Sequence, residues 1–184
     1  MLHVTDVLPK GSFVYDPIYA ERGKLVHAAC HLLETDGLDW ATVPLEWRGY
    51  VEAWQRFTVQ SKAEIRRSEF PVESKEHEYI GRVDNLIKIK RLYILDKKTG
   101  PPAPTVGLQL AGYSGAYREM FGDPMPLRAV VQLSADGSYK FTAEDTPGQK
   151  YFAPTDFRVF LAFLTGKKWE MQHGLWSPQN REEE

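Results

Sequence analysis

The chain of 184 residues contains one cysteine, Cys30, so no disulfide can form within it. That excludes a disulfide-stapled secreted domain. It also excludes a four-cysteine zinc site or iron–sulfur cluster built within one chain. No apolar run approaches the roughly 20 residues of a membrane-spanning helix. The stretch from Met1 to Pro17 carries Asp6 and Asp16 beside Lys10 and lacks a continuous apolar core. It therefore reads as neither a signal peptide nor a transit peptide. The expected setting is a reducing cytoplasm, with no membrane partner. An excess of charge of one sign is missing too: 23 basic and 25 acidic residues leave a formal charge of -2. A protein that coats nucleic acid without specificity is strongly basic. Any anionic partner must then be met by a local patch or through a metal. No G-x-x-x-x-G-K-(S/T) phosphate loop occurs, so no motor is present.

What is present is a globular composition, 42% apolar, 26% charged and 12% aromatic. At roughly 150 residues per domain, the length predicts a single domain over 1–184. Residues 1–19 read as an irregular N-terminal arm, broken by Pro9, Gly11 and Pro17. Residues 20–35 read as a helix, with Leu25, Ala29, Leu32 and Leu33 at helical spacing. A second helix starts near Pro44 and carries Trp47, Tyr50, Val51, Trp54 and Phe57 on one face. Segments 63–73, 78–89 and 91–98 are short and rich in Ile, Val, Tyr and Phe, which predicts three successive antiparallel strands. Thr99-Gly100-Pro101-Pro102 ends the last of them. Residues 105–120 read as a helix whose glycines permit close packing on a sheet. Strands at 127–133 and 138–143 flank a hairpin turn at Asp136-Gly137. A last helix covers 156–171, and 172–184 form a solvated tail. The order predicts an α/β fold with a mixed sheet.

Asp96-Lys97-Lys98 ends the third strand. Alternation puts Asp96 and Lys98 on one face and Lys97 on the other. A carboxylate beside an ammonium can hold a hard cation and orient a water next to it; it is also what an ordinary exposed ion pair looks like. Asp84 stands on the neighbouring strand, where a hairpin would bring it toward Asp96. Two converging carboxylates repel unless a cation or proton lies between them; alone, Asp84 is equally a turn residue. His27, Cys30 and His31 invite a zinc reading but supply at most three ligands. Gln109 and Tyr113 share a helix face, as site residues or as the polar edge of a core helix. Lys88, Lys90, Arg91, Lys97 and Lys98, against Asp96 alone, form a basic strip able to grip phosphates. Arg66 and Arg67 precede it.

Taken in order, Gly23-x-x-x-His27, Gly81-Arg82-Val83-Asp84, Asp96-Lys97-Lys98-Thr99-Gly100 and Gln109-x-x-x-Tyr113 resemble the motifs of the PD-(D/E)xK nuclease superfamily, and of its RecB-like, phage-type exonuclease branch. The resemblance covers about residues 21–117. It implies a restriction-endonuclease-like core, α-β-β-β-α-β, with a mixed central sheet flanked by helices. It implies that His27, Asp84, Asp96 and the Lys97 carbonyl ligate Mg2+ or Mn2+, and that Lys98 positions or activates water. Glu73 would be a further acid for a second metal. Gln109, Tyr113, Arg22, Lys88 and Lys90 would contact DNA. The implied activity is metal-dependent exonucleolytic hydrolysis of linear DNA to 5′-phosphates in phage-type recombination or repair, in a bacterial or phage-infected cell. A single-strand annealing or recombination partner and a homo-oligomer are compatible with it. The single cysteine excludes the iron–sulfur subtype. An endonuclease of the same superfamily, or a non-catalytic DNA-binding module on the fold, are the alternatives.

Overall fold

The structure is a computed structural model and describes residues 1–9, 17–122 and 124–178. Gly11 of the expected arm and Arg181–Glu184 of the expected tail lie outside the described residues. The elements run β1 (Leu2–His3), α1 (Val4–Val7), α2 (Pro17–Glu34), α3 (Leu45–Ser61), β2 (Glu64–Ser74), β3 (Tyr79–Lys88), β4 (Leu92–Lys98), α4 (Val106–Phe121), β5 (Leu127–Leu133), β6 (Tyr139–Ala143) and α5 (Asp156–Gln172). From α3 through β5 this is the α-β-β-β-α-β succession expected. The six strands form one open mixed sheet in the order β1-β3-β4-β5-β6, with β2 on the other edge of β3. β2–β3, β3–β4 and β5–β6 are antiparallel, whereas β1–β3 and β4–β5 are parallel. Pro71 sits within β2, which is tolerated because β2 is an edge strand with β3 as its neighbour.

Helices cover both faces, so two cores form. On one face Val83, Ile94 and Val130 of the sheet pack with Leu110, Tyr113 and Phe160 of α4 and α5. On the other, Ile87, Leu95 and Val131 pack with Val26, Cys30, Trp54 and Phe57 of α2 and α3. Tyr79 donates its hydroxyl to the Gly112 carbonyl at 2.7 Å, locking α4 to the sheet. The hairpin turn is as expected: Ser134 N donates to Ser138 O at 3.0 Å, with Gly137 at φ 77. Among the described residues no helix is long and apolar enough to cross a membrane.

Three expectations need correction. The arm is not irregular at its start: β1 pairs with Tyr79–Ile80, and Leu2, Val4 and Val7 are buried. They cap one end of the α4-side core. The first helix begins at Pro17, whose fixed φ suits the first turn. Its apolar face is also shifted. Leu25 and Leu32 are each 43% exposed, while Val26, Ala29 and Cys30 are buried. The sheet-facing stripe that Leu25 and Leu32 were expected to supply is partly polar, as described below. Finally, the α4 glycines admit a helix rather than the sheet. A Cβ at Gly112 would lie 2.9 Å from the Phe160 ring, and one at Gly115 would meet Phe157.

Candidate functional site

β3 is a forked strand. One edge pairs with β2 along its whole length. The other pairs with β1 at Tyr79–Ile80 and with β4 only from Asn85 to Lys88. Residues 81–84 on that edge therefore face the gap where β4 turns away toward β5. Alternation slips at the same level. Tyr79, Val83 and Leu86 all belong to the α4-side core, although 83 and 86 differ in parity. Glu69, between the pairs Ser68–Asn85 and Phe70–Val83, takes a left-handed φ of 46. Non-glycine residues adopt that conformation rarely, and it concentrates at functional sites. The paired irregularity turns Glu69 and Asp84 toward each other at the fork.

The Lys97 peptide closes the gap. Its N–H donates to Asp84 Oδ2 at 2.7 Å, and its carbonyl lies 2.8 Å from His27 Nε2. A carbonyl only accepts, so Nε2 carries the hydrogen. A neutral His27 then presents the Nδ1 lone pair to Asp84 Oδ2, 3.5 Å away. Two acceptors at that distance need a proton or a metal ion between them. His27, Glu69 and Asp84 each offer a ligand atom within 4.8 Å of the others. Glu69 Oε1 is buried and has no hydrogen-bond partner among the described residues. Burial, reinforced by the Asp84 charge, holds the Glu69 carboxyl above its ordinary range. Two carboxylates and one imidazole suit a hard divalent cation such as Mg2+ or Mn2+, whereas the Lys97 carbonyl, expected as a ligand, instead holds the His27 ring through Nε2. His27, Glu69 and Asp84 thus form a group that could hold a divalent cation, with one buried Glu69 oxygen lacking a hydrogen-bond partner among the described residues.

Asp96 stands beside this cluster on the α4 side and is buried. Lys98 Nζ lies 3.0 Å from its Oδ1 and 2.8 Å from its Oδ2. Gln109 Nε2 donates to Asp96 Oδ1 at 3.2 Å and to the Tyr113 hydroxyl at 3.3 Å. Burial raises the Asp96 pKa against the lowering effect of Lys98, and Asp84 raises it further. For Lys98, burial works to lower the pKa, but the Asp96 and Asp84 charges outweigh it and hold the ammonium protonated. A Cβ at Gly81 would lie 2.5 Å from the Tyr113 ring, so glycine at 81 admits Tyr113 to the fork.

His27, Asp84, Lys97, Asp96, Lys98, Gln109 and Tyr113 are therefore brought together, though Asp96 engages Lys98 and Gln109 rather than the other acids. Arg22 is near the end of β4. Its guanidinium donates to Thr99 O at 2.8 Å and lies over Tyr19 at 4.9 Å and Tyr50 at 5.0 Å. Glu73 is not brought in. It pairs in register with Ile80, about 13 Å along the strand from Glu69. The acid opposite Asp84 is Glu69, because the register of β2 puts it there. Lys88 and Lys90 are also displaced. They are exposed at the closed end of the β3–β4 hairpin, Lys88 about 13 Å along β3 from Asp84. The expected strip is thus divided between two ends of the hairpin, and Arg91 there faces Asp145 at 3.9 Å. Of the other basic residues, Arg66 pairs with Glu64 at 2.8 Å, and Arg67 lies over the Phe121 ring at 4.7 Å. The zinc reading also falls. Cys30 is buried in the apolar core, its thiol pushed up to about 12 by burial, and His31 turns to Ser68.

No protein-family model matches the chain, and no curated protein matches it in sequence. Among solved structures it is similar to an alkaline exonuclease, LHK-Exo, from Laribacter hongkongensis. The identity is 12% and the TM-score 0.46, over 94% of this chain and 86% of that one. It is also similar to the protein SSO0001 at 13% identity and a TM-score of 0.43, over 91% of this chain and 74% of that one. Both likenesses are distant.

Sequence reasoning missed Glu69 and a group behind the fork: His31, Glu34, Ser68, Asn85 and the Lys97 side chain. A signal for Glu69 was available. Ile65 has odd parity, whereas Phe70 and Val72 have even parity, so the apolar alternation breaks between them and announces an irregularity. Nothing local marks Glu34 or Asn85, whose pairing spans 51 residues of sequence.

Proposed function

We propose that the protein is a single-domain, divalent-metal-dependent nuclease that hydrolyses DNA phosphodiester bonds. The observation that carries this reading is the convergence at the fork of His27, Glu69, Asp84 and the Lys97 carbonyl, beside the Asp96–Lys98 pair. His27, Asp84 and Glu69 would hold Mg2+ or Mn2+, with the Lys97 carbonyl fixing the His27 ring and Asp96 completing the acidic wall. Bound there, the ion would supply Lewis acidity and neutralise charge on a phosphate oxygen. The chain's own groups do the rest. Lys98, protonated, is a hydrogen-bond donor that orients an attacking water or a phosphate oxygen. Gln109 fixes one Asp96 oxygen, which holds Lys98 in turn. Tyr113, seated over Gly81, closes the α4 side of the crevice. Arg22, at the end of β4, offers a further cation toward the substrate backbone.

Within this reading the ordered motifs favour an exonuclease acting on linear DNA and leaving 5′-phosphates, in a phage-type recombination or repair setting. The test is incubation of linear single- and double-stranded DNA with purified protein and Mg2+ or Mn2+. We expect degradation, with loss of activity in Asp96→Ala and Lys98→Ala. Intact DNA, or full activity in those variants, would sink the proposal. Cutting of covalently closed circles would replace the exonuclease mode by an endonuclease mode.

A further inference from the structure

The helix that carries His27 docks on the sheet through a polar seam. His27, His31 and Glu34 are spaced by four and then three residues on α2, so they line one stripe. Each meets a different part of the sheet. His27 reaches the Lys97 carbonyl on β4. His31 Nδ1 lies 2.7 Å from Ser68 Oγ on β2, and Ser68 Oγ in turn donates to Glu34. Because the hydroxyl hydrogen is committed to the carboxylate, His31 Nδ1 is the donor to Ser68. Glu34 also accepts from Asn85 Nδ2 on β3 at 2.9 Å and from Lys97 Nζ at 3.2 Å.

Lys97 is the unusual member. Alternation on β4 turns its side chain to the face opposite Asp96 and Lys98, where it is 0% exposed and its partner Glu34 3% exposed. Its ammonium also lies 4.9 Å from the centre of the Trp54 ring, a favourable cation–π placement. A buried ion pair contributes little net stability compared with apolar residues of the same volume. Its use must be sought in what it fixes. The Lys97 peptide contacts both Asp84 and His27, and its side chain is tied to the same helix that bears His27.

We infer that the buried Lys97–Glu34 pair, with Ser68 and Asn85, positions the fork. It clamps the Lys97 peptide against α2 so that His27 and Asp84 meet at the cation-binding geometry. Glu34 and the Lys97 side chain are positioning residues on this account; neither touches substrate. The inference rests on the proposed metal-dependent reading for its purpose, but its geometry is testable without metal.

The charge-free pair Lys97→Met with Glu34→Gln avoids leaving one buried charge alone. Two readouts apply to the folded variant. The first is the imidazole 15N spectrum of His27 in the metal-free protein. The wild type should show the hydrogen fixed on Nε2; the variant should show exchange between the two nitrogens. The second is Mn2+ affinity by calorimetry, expected to weaken by about tenfold or more, as for other groups that orient metal ligands. A folded variant with the wild-type His27 signal and wild-type Mn2+ affinity would overturn the inference. If the pair does not fold, Ser68→Ala decides by the same two readouts, with a smaller change in the same direction. A wild type that takes up no Mn2+ while its His27 signal responds to the substitutions would overturn the metal reading and leave the positioning standing.

Discussion

Two clusters of buried charge invite comparison, one at the fork and one around Arg128 on β5. The Arg128 guanidinium has five N–H groups, and every nitrogen is engaged. NH1 donates to Asp156 at 2.6 Å and Gly107 O at 3.2 Å; NH2 donates to Glu144 at 2.6 Å and Ala153 O at 3.1 Å; Nε donates to Glu144 at 3.2 Å. One cation joins α4, β5, α5 and the segment after β6. At the fork acids also outnumber cations, but their oxygens are less completely engaged. Glu69 and Asp84 converge with His27, Asp96 beside them pairs with Lys98, and Glu69 Oε1 and Asp96 Oδ2 are buried with no hydrogen-bond partner among the described residues. A matched cluster ties elements together. An acid-rich cluster with idle oxygens is suited to receiving a cation.

The largest effect should separate the two by function. Asp84→Asn keeps the acceptor for Lys97 N but removes the charge. DNA hydrolysis should fall to the detection limit while the melting temperature of the metal-free protein is held or raised. A drop in melting temperature with activity retained would reverse the roles assigned to the clusters. The next is Arg128→Met, which strands two partly buried carboxylates and should cost about 3 kcal/mol in urea unfolding. Activity per folded molecule should persist.

Gly81→Ala forces a Cβ against Tyr113 and should cost about 1 to 3 kcal/mol by overpacking. It should also lower kcat more than it raises KM, because Tyr113 and Gln109 shift together at the fork. The mildest contrast is in pH. Glu69 and Asp96 have pKa values raised by burial, so each takes away stability as pH rises from the ordinary carboxylate range through its folded value. Burial works to raise Glu144, but Arg128 outweighs it and holds the carboxyl low. Its contribution is complete above the ordinary carboxylate range and is lost as pH falls through its folded value. Glu69→Gln should therefore flatten the loss of metal-free stability as pH rises above the ordinary carboxylate range. Glu144→Gln should flatten the loss on the acid side. Unfolding free energies from about pH 3 to about pH 8 would show whether the two slopes differ in sign.

The sequence made the order of elements legible because each strand and helix carries its own period. It made Asp84, Asp96, Lys98 and His27 legible because each stands at the end of such an element or at motif spacing. It misplaced the second acid. The resemblance places the further acid at Glu73, but the pairing of β2 with β3 sets Glu73 against Ile80 and puts Glu69 between the pairs that flank Asp84. It misread the α2 face for a related reason: Leu25 and Leu32 satisfy helical spacing, but polar contacts from Ser68, Asn85 and Lys97 claim the sheet-facing stripe. The basic run from Lys88 to Lys98 looked continuous because a hairpin that separates its ends in space leaves no mark on linear charge counts.

The two-residue strand β1 has a consequence for the order of assembly. Leu2 and His3 pair with Tyr79 and Ile80, which are far along the chain. The burial of Leu2, Val4 and Val7 depends on that long-range pairing with β3. So long a closure is entropically slow relative to the local hairpins. That long-range pairing covers the edge of β3 beside the fork, so the shape of the crevice depends on a contact between distant parts of the chain.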